Sequence, residues 1–210
     1  MNNRTTASKL PERFYLNTDV TAVAKALLGK QLCTLINGEY TSGIIVETEA
    51  YNGISDKASH AYGSRRTPRT EIMYMEGGHA YVYLCYGIHY LFNVVVGPVD
   101  EPFAVLIRGL EPAEGVDIML RRRGMTHLAP KISAGPALLT QALGIDLNSN
   151  GISLQRDTIW IQETGLSFTD QDIIATERIG VGYAAEDALL PYRYYIKGNQ
   201  FVSKLIKEVK

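Results

Sequence analysis

The sequence has few cysteines, a single tryptophan, little net charge and no long apolar run. Its two cysteines, Cys33 and Cys85, are too few for a disulfide framework, and they lie in neither a Cys-x-x-Cys pair nor a zinc-ligand spacing. No apolar run approaches the ~20 residues needed to cross a bilayer. The polar stretch 1–9 lacks the apolar segment of a signal peptide. These absences predict a reduced, cytoplasmic protein rather than a secreted or membrane protein.

The charge balance argues against strong bulk attraction to nucleic acid. A net charge of −1 and an isoelectric point near 6.4 are unusual for a protein that binds DNA mainly through its overall charge. A local basic patch can still neutralise a few phosphates. Two patches are present, Arg65-Arg66-x-x-Arg69 and Arg121-Arg122-Arg123. On charge alone, a solvated surface cluster explains each of them more simply.

Turn signals and hydrophobic patterns predict an α+β protein. Helices are predicted over 21–28 and 137–143, each ended by a glycine, and Asn37-Gly38 is a strong hairpin signal. The predicted strands cover 31–36, 39–48, 80–86, 89–96, 103–108, 159–163 and 192–197. Because these strands follow one another through tight turns, a mainly antiparallel sheet is expected. We expect a flexible N-terminus over 1–12 and one domain over 13–210, a length typical of one domain.

The strand predicted at 43–51 carries two candidate catalytic carboxylates. Side chains alternate between the faces of a strand, which puts Glu47, Glu49 and Tyr51 on one face. The two glutamates are then roughly 6.6 Å apart along the strand. That spacing suits a pair of carboxylates acting as acid and base on a glycosidic bond. A half-buried strand with a polar outer face explains the pattern equally well.

Aromatic residues dominate the hairpin predicted over 80–96. Aromatics are common in strand pairs, so this alone does not indicate a function. With a turn at Tyr86-Gly87, however, Tyr83 lies on a strand face while Tyr86 occupies the protruding tip. An aromatic side chain there could fill the gap left by an extruded base. Asn93, in an otherwise apolar strand, either caps a bulge or supplies a polar group to a pocket.

His60 lies near a basic loop that contains Pro68. A lone histidine is more often structural than functional. The nearby Arg65, Arg66 and Arg69 favour a functional role for His60, because a loop with three arginines can hold phosphates. The spacing of histidines and cysteines predicts no metal site, and 180–182 lacks the remaining residues of a dinucleotide-binding loop. We expect neither a metal nor an organic cofactor.

Several segments together resemble the alkyladenine (3-methyladenine) DNA glycosylase family. Their order and spacing match that family from about residue 20 to 203, nearly the whole chain. The segments are Ile45–Tyr51, Ala58–His60, Arg66–Arg69, Ala80–Gly87, Asn93, Leu106–Pro112, Gly135-Pro136 and Ile179–Gly182. The resemblance implies a single mixed domain around a curved antiparallel sheet with a protruding hairpin. It also implies that no cofactor is used.

The resemblance assigns the water chemistry to three residues. Glu49 matches the general base that activates the attacking water, while Arg108 and the backbone carbonyl of Val181 match groups that hold this water. Glu47 is left with a supporting role. Since no lysine nucleophile is identified beside the site, we expect a monofunctional enzyme that does not cut the DNA strand.

The resemblance assigns base recognition to a second group. Tyr51 matches the aromatic ring on one face of the flipped base, and His60 and Tyr83 match those on the other. Asn93 matches a pocket residue that crowds the exocyclic amino group of guanine. Tyr86 matches the side chain that is intercalated where the nucleotide was.

The implied partner is duplex DNA that contains an alkylated or deaminated purine. Arg65 matches a phosphate contact, and Arg66 and Arg69 are grouped with it. We expect a monomer without membrane contact, located in the cytoplasm, at the nucleoid in a bacterium, or in the nucleus. Two other hypotheses are a damaged-DNA binding module without catalysis and a sugar glycosidase that uses Glu47 and Glu49. The lack of a tryptophan-rich sugar platform argues against the second.

Overall fold

Eight antiparallel strands form one curled sheet in residues 8–205, the part of the chain that the computed structural model describes. The strands are β1 (Gln31–Ile36), β2 (Glu39–Tyr51), β3 (Ala80–Cys85), β4 (His89–Val96), β5 (Phe103–Glu114), β6 (Ile159–Gln162), β7 (Ile173–Thr176) and β8 (Arg193–Ile196). Their order is β3-β4-β5-β2-β1-β6, and β8 pairs with both β2 and β7. The predicted α+β class with a mainly antiparallel sheet is confirmed.

Helices cover part of this sheet. The α-helices of the described residues are α1 (Glu12–Tyr15), α2 (Val20–Ala26), α3 (Val116–Arg123) and α4 (Pro136–Leu143). Short 3₁₀ helices occupy Gly53–Ser55, Tyr62–Ser64, Glu71–Tyr74, Pro130–Ile132, Leu147–Ser149 and Gly182–Leu189. Helix α2 packs on β2 and β5, and α4 packs on β4 and β5. Within residues 8–205 no helix has the length and apolar character needed to cross a membrane.

The local signals in the sequence explain most element boundaries. Asp19 caps α2, because its carboxylate accepts hydrogen bonds from the backbone N–H groups of Thr21 and Ala22. Asn37 and Gly38 both have positive φ, which is the mirror-image turn that matches the twist of a hairpin. Helix α4 begins at Pro136 and ends before a left-handed Gly144. These elements lie close to their predicted positions.

Several elements were missed or misjudged in length, among them the short helix α1, which was not predicted. Strand β5 runs to Glu114, beyond the predicted end at residue 108, because bulges let β2 stay paired with it as far as Ser42. Helix α3 was missed: it starts after Gly115, where a Cβ atom would lie 2.2 Å from the carbonyl oxygen of Tyr40. Strand β7 is short and only partly buried, so its pattern was weak.

The arginines of the second basic patch, 121–123, form ion pairs and hydrogen bonds within the protein. Arg121 and Arg122 form ion pairs with Glu39 at the start of β2. Arg123 donates to the backbone carbonyls of Ile132 and Lys131 at 3.1 Å. The three arginines also lie in the last turn of α3, where positive charge is favoured by the helix dipole. The cluster therefore ties α3 to its neighbours.

The N-terminal segment that was predicted to be flexible falls partly outside the described residues, since 1–7 are not among them. Within the described part, Lys9 pairs with Gln162 in an isolated antiparallel β-bridge. Leu10 is buried, and its N–H donates a hydrogen bond to the carbonyl of Ile161 at 2.9 Å. Residues 9 and 10 thus extend the sheet edge beside β6.

Candidate active site

Strand β2 buries both of its faces at the site. Glu47 and Glu49 are each 0% exposed, and the intervening Thr48 is buried as well. The alternative explanation, a half-buried strand with a polar outer face, is therefore wrong. The reason is that β5 and β8 flank β2 here while other segments cover the glutamate side. Two buried carboxylates on one strand need charged or hydrogen-bonding partners, because burying an unpaired charge is very unfavourable.

The Glu49 carboxylate is held by three donors. Its Oε2 accepts the hydroxyl of Tyr51 at 2.9 Å and Nη1 of Arg108 at 3.3 Å. Its Oε1 accepts the backbone N–H of Ile179 at 2.7 Å. A carboxylate offers about four lone-pair sites, so one acceptor position is left over among these contacts. The carboxylate is oriented and retains room for one further donor.

The Glu47 carboxylate is engaged on a different side. It accepts Nε of Arg193 at 2.7 Å, Nε of Arg108 at 3.2 Å, and both the N–H and the hydroxyl of Ser203 at 2.6 and 2.8 Å. The carboxylate is thus saturated by structural partners. Neither glutamate lines the cavities itself, but all three donors to Glu49 line the larger one, whereas Arg193 and Ser203, which hold Glu47, do not. This arrangement does not support a pair of glutamates acting together on a sugar.

Arg108 joins the two carboxylates from β5. Burial disfavours the charge of its guanidinium, but the charges of Glu49 and Glu47 outweigh burial and raise the pKa of Arg108. The residue therefore carries a positive charge in the interior, and it lines the cleft beside the aromatic residues. Arg108 thus lies beside Glu49, and its expected role in holding the attacking water stays a prediction.

Aromatic side chains line two adjoining cavities next to Glu49. The smaller one, of about 40 Å³, is bounded by Met73, Tyr81, Asn93 and Ala104 among others. The larger cleft, of about 480 Å³, extends towards the hairpin tip. The residues that line both cavities are Tyr51, His60, Tyr83 and Tyr183. The structure thus brings the three predicted base-binding aromatics to one place.

His60 is held in its neutral form. Its Nδ1 shares a 2.9 Å hydrogen bond with the hydroxyl of Tyr81, and its ring meets Tyr83 edge to face with centroids 4.7 Å apart. Burial, with smaller contributions from the nearby Arg69 and Arg65, lowers the pKa of His60 to about 4. A neutral ring with one nitrogen fixed by Tyr81 has its other nitrogen available for a base edge.

Tyr51 has a different environment from His60. Burial, followed by the charge of Glu49, raises the pKa of Tyr51 well above the usual value. Its hydroxyl therefore stays protonated and donates a hydrogen bond to Glu49. The guanidinium of Arg178 lies over its ring, 4.9 Å from the centroid.

Asn93 lies in the wall of the small cavity. It is buried in β4, and its side-chain amide donates to the backbone carbonyl of Tyr81 at 3.0 Å. That bond fixes the orientation of the amide. Of the two predicted explanations, a bulge cap or a pocket residue, the second fits its position in this cavity.

The hairpin tip projects an aromatic side chain. Strands β3 and β4 pair in register from Ala80–Val94 to Cys85–His89, and the turn carries Tyr86 and Gly87 with positive φ. Tyr86 is 90% exposed, and Ile88 beside it is also exposed. A large side chain held in a left-handed conformation at a tight turn is unusual, because only glycine adopts it without strain. The tip therefore presents two apolar groups to the outside.

The three arginines of the first basic patch, Arg65, Arg66 and Arg69, lie in different environments. Arg66 is paired with Glu71 and Asp100 and lies over the ring of Tyr74. Arg65 and Arg69 form no ion pair within residues 8–205, and the guanidinium of Arg69 lies 4.9 Å from the ring centroid of Tyr83. Arg69 also lines the cleft. Of the three arginines, Arg65 and Arg69 have the more available charges.

Val181 follows Ile179 in the loop that contacts Glu49. Its side chain is buried, and its carbonyl accepts the N–H of Ala184 at 2.9 Å, the first bond of a 3₁₀ helix. A carbonyl has two lone pairs, so one remains available on Val181. Both Ile179 and Val181 line the cleft.

The chain is similar to known proteins over most of its length. A model of the methylpurine-DNA glycosylase (MPG) family matches residues 13–200. A protein of Bacillus cereus strain AH820 named "Putative 3-methyladenine DNA glycosylase" is 47% identical over an alignment of 203 positions, and the alignment covers 92% of this chain and 98% of the relative. A protein of the same name from Bacillus anthracis strain CDC 684 shows the same identity and coverage.

The chain belongs to the methylpurine-DNA glycosylase family.

Membership in this family confirms the predicted resemblance and makes the chain an N-glycosidic hydrolase with DNA as its implied substrate. The family match covers β1 to β8 and every residue that lines the two cavities, while Ser203, which bonds Glu47, follows the matched segment. Within the described residues, no three histidine, cysteine or acidic side chains are grouped so that they could hold a metal ion.

Several residues that build the site were missed by sequence reasoning. Arg178 and Asp56 form a buried ion pair behind Tyr51, and Arg193 and Ser203 hold Glu47. Tyr183 lines both cavities. Their spacing in the sequence gives no hint of these contacts, because each partner is far away along the chain. A signal was available for Arg178 and Tyr183 only, since they directly flank the segment 179–182 that matches the family.

Proposed function

We propose that this glycosylase extrudes alkylated or deaminated purines from duplex DNA and releases them by direct attack of water. The observation that carries the proposal is the buried Glu49 carboxylate, which is held by Tyr51, Arg108 and Ile179, three residues that line the aromatic cleft. A base inside a duplex cannot be reached by such a buried group, so it must be turned out of the stack.

The extruded base would lie between aromatic rings. Tyr51 would cover one face, and His60 and Tyr83 the other, since all three line both cavities. Stacking contributes about 1–3 kcal/mol per base, which offsets the few kcal/mol needed for extrusion. Positively charged bases such as 3-methyladenine and 7-methylguanine gain further from electron-rich rings. Hypoxanthine, which is neutral, depends more on contacts to its edge and on protonation as it leaves.

Glu49 would activate the attacking water as a general base. Three of its acceptor positions are occupied, and the remaining one suits a water molecule. Arg108 and the free lone pair of the Val181 carbonyl would hold the same water, because both groups line the cleft beside Glu49. No covalent bond to the protein is required, so the sugar–phosphate backbone stays intact and the product is an abasic site.

Contacts outside the pocket would hold the DNA. Tyr86, exposed at the hairpin tip, would occupy the gap that the extruded nucleotide leaves in the stack. Arg65 and Arg69 would contact phosphates, whereas Arg66 would first have to leave Glu71 and Asp100. Every proposed contact comes from one chain, so we expect the protein to act as a monomer.

Asn93 would select against normal guanine. Its fixed amide lies in the wall of the small cavity, where it would crowd an exocyclic amino group on the base. Hypoxanthine lacks that amino group. A smaller residue at this position should therefore admit bases that the native pocket rejects.

The substitution Glu49→Gln tests the proposal. The amide cannot accept a proton from water, so release of hypoxanthine or an alkylpurine should fall by about 10²–10⁴. Release is measured by alkaline cleavage of lesion-bearing duplexes under single-turnover conditions, and binding by fluorescence anisotropy. The matched control is Glu76→Gln, the same chemical change at a side chain outside both cavities of the site.

Two results would overturn the proposal. Unchanged excision by the Glu49→Gln protein would remove Glu49 from the reaction. Lesion binding by the native protein without release of any base would indicate a damaged-DNA binding module instead.

A further inference from the structure

A buried guanidinium lies behind the Tyr51 ring. The side chain of Arg178 is 0% exposed, and its guanidinium carbon is 4.9 Å from the ring centroid of Tyr51 and 5.3 Å from that of Tyr192. Arg178 lines neither of the two cavities at the site, whereas Tyr51 lines both. The guanidinium therefore covers the ring face that points away from the proposed base position.

Asp56 balances the charge of Arg178. The two side chains make a bidentate pair, with Nη1 to Oδ2 at 2.5 Å and Nη2 to Oδ1 at 2.9 Å. Arg178 also donates to the backbone carbonyls of Ala50 and Asp187. Its Nε is buried without an acceptor among the described residues.

Packing alone does not require this pair. Buried ion pairs can often be replaced by well-packed apolar residues without loss of stability, because desolvation offsets the attraction. The placement of the charge against Tyr51 has a direct electronic consequence. A cation over one face of an aromatic ring is attracted by the negative quadrupole of that ring and polarises it. The opposite face then attracts a second cation less strongly.

We propose that Arg178 and Asp56 set the preference of the pocket between cationic and neutral damaged bases by polarising the Tyr51 ring. This inference rests on the proposed function. Arg178 weakens the attraction of Tyr51 for a positively charged base, and Asp56 limits that effect by neutralising Arg178. Both are specificity-determining residues that act through Tyr51, without touching the base.

Arg69 occupies a comparable place over Tyr83 but differs in one respect. It lines the open cleft, where a phosphate can neutralise it, while Arg178 is closed off from solvent. Of these two arginines, only Arg178 polarises its ring to the same extent whether or not a phosphate of the DNA is bound nearby.

The test compares two bases in the same duplex sequence. Single-turnover release is measured for 7-methylguanine, which is cationic, and for hypoxanthine, which is neutral. The ratio of the two rate constants is determined for the native protein and for Arg178→Gln, Asp56→Asn and the double variant Asp56→Asn/Arg178→Gln, which keeps a neutral hydrogen-bonding pair. The control is Lys30→Gln, which breaks the Lys30–Glu163 ion pair outside the site.

The two single substitutions should move the ratio in opposite directions. Arg178→Gln and the double variant should raise the preference for 7-methylguanine about two- to fivefold, the range expected of a cation–π effect. Asp56→Asn should lower it, and Lys30→Gln should leave it unchanged. General damage to the site would instead make Arg178→Gln and Asp56→Asn move the ratio the same way.

The outcomes separate this inference from the proposed function. An unchanged ratio, or shifts in the same direction for both single variants, would overturn the role of Arg178 while excision itself remained. Failure of the native protein to release either base would overturn the proposed function, and this inference with it.

Discussion

The hydroxyl of Tyr51 donates a 2.9 Å hydrogen bond to Oε2 of Glu49. The two residues belong to one strand and are separated by a single position, so the alternation of β2 places them on the same face. Because the Tyr51 ring also lines the aromatic cavities, one side chain connects the proposed position of the base with the proposed general base.

Replacing Tyr51 by phenylalanine should separate binding from chemistry. The ring that would stack on the base is retained, while the bond that orients Glu49 is lost. Loss of one such bond, worth about 1–1.5 kcal/mol, should slow single-turnover excision about tenfold with little change in lesion affinity. The control is Tyr40→Phe, which removes a hydroxyl bonded to Cys33 elsewhere on β2. Equal excision rates for Tyr51→Phe and the native protein would show that the hydroxyl has no part in the reaction.

Shortening the side chain at the hairpin tip should weaken DNA binding without affecting the fold. Tyr86 is 90% exposed, so Tyr86→Ala removes almost no buried surface. Affinity for lesion-bearing duplex should fall about tenfold, the effect expected from losing one aromatic stacking contact. Anisotropy titrations measure the affinity, and thermal unfolding checks the fold. Leu128→Ala, at another exposed apolar residue, is the control. An unaltered affinity for Tyr86→Ala would exclude intercalation.

His60 should make stability depend on pH in the acidic range. Its pKa is lowered from 6.5 to about 4 by burial and by Arg69 and Arg65. The unfolded chain therefore binds the proton more readily, and the free energy of unfolding should decrease as pH falls from about 6.5 to 4. The full effect is on the order of 3 kcal/mol.

Urea unfolding of the native protein and of His60→Gln at several pH values measures this effect. The substituted protein should lose less stability on acidification over that interval, because glutamine does not titrate. Identical pH dependence in the two proteins would mean that His60 titrates normally in the folded state.

Neutralising Glu47 should affect stability far more than chemistry. Glu47→Gln leaves the buried guanidinium groups of Arg108 and Arg193 short of a counter-charge. Removing one partner of a buried ion pair typically costs about 3–5 kcal/mol. Denaturant unfolding measures the loss, and excision per folded molecule should remain within about tenfold of the native rate because Glu49 is the proposed base. A loss of excision as large as that of Glu49→Gln would restore the hypothesis of two acting carboxylates.

The elements with strong local signals could be predicted from the sequence. The hairpin at Asn37-Gly38 has two residues that tolerate positive φ, and the hairpin at Tyr86-Gly87 has one, Gly87; both hairpins formed where expected. Helix α3 could not be predicted so easily, since only Met119 among its four apolar residues is buried, and its three arginines bind backbone carbonyls and Glu39, which is distant in sequence.

The candidate site was predictable only in part. The alternation of β2 placed Glu47 and Glu49 together, but it could not show that Glu47 is saturated by Arg193 and Ser203 from the far end of the chain. Likewise, the pairing of Arg178 with Asp56 joins positions that lie far apart in sequence. Such long-range contacts depend on the curvature of the sheet, which no local sequence pattern predicts.

The inward use of the α3 arginines has a consequence for how the protein searches DNA. With that cluster committed to Glu39 and backbone carbonyls, few cations near the cleft are left to displace counterions. If Arg65 and Arg69 are the main phosphate contacts, log K against log salt should have a slope of only about −2. Weakly held, the protein would leave a duplex often and rebind elsewhere. It would then survey a genome by many short visits rather than by long one-dimensional sliding.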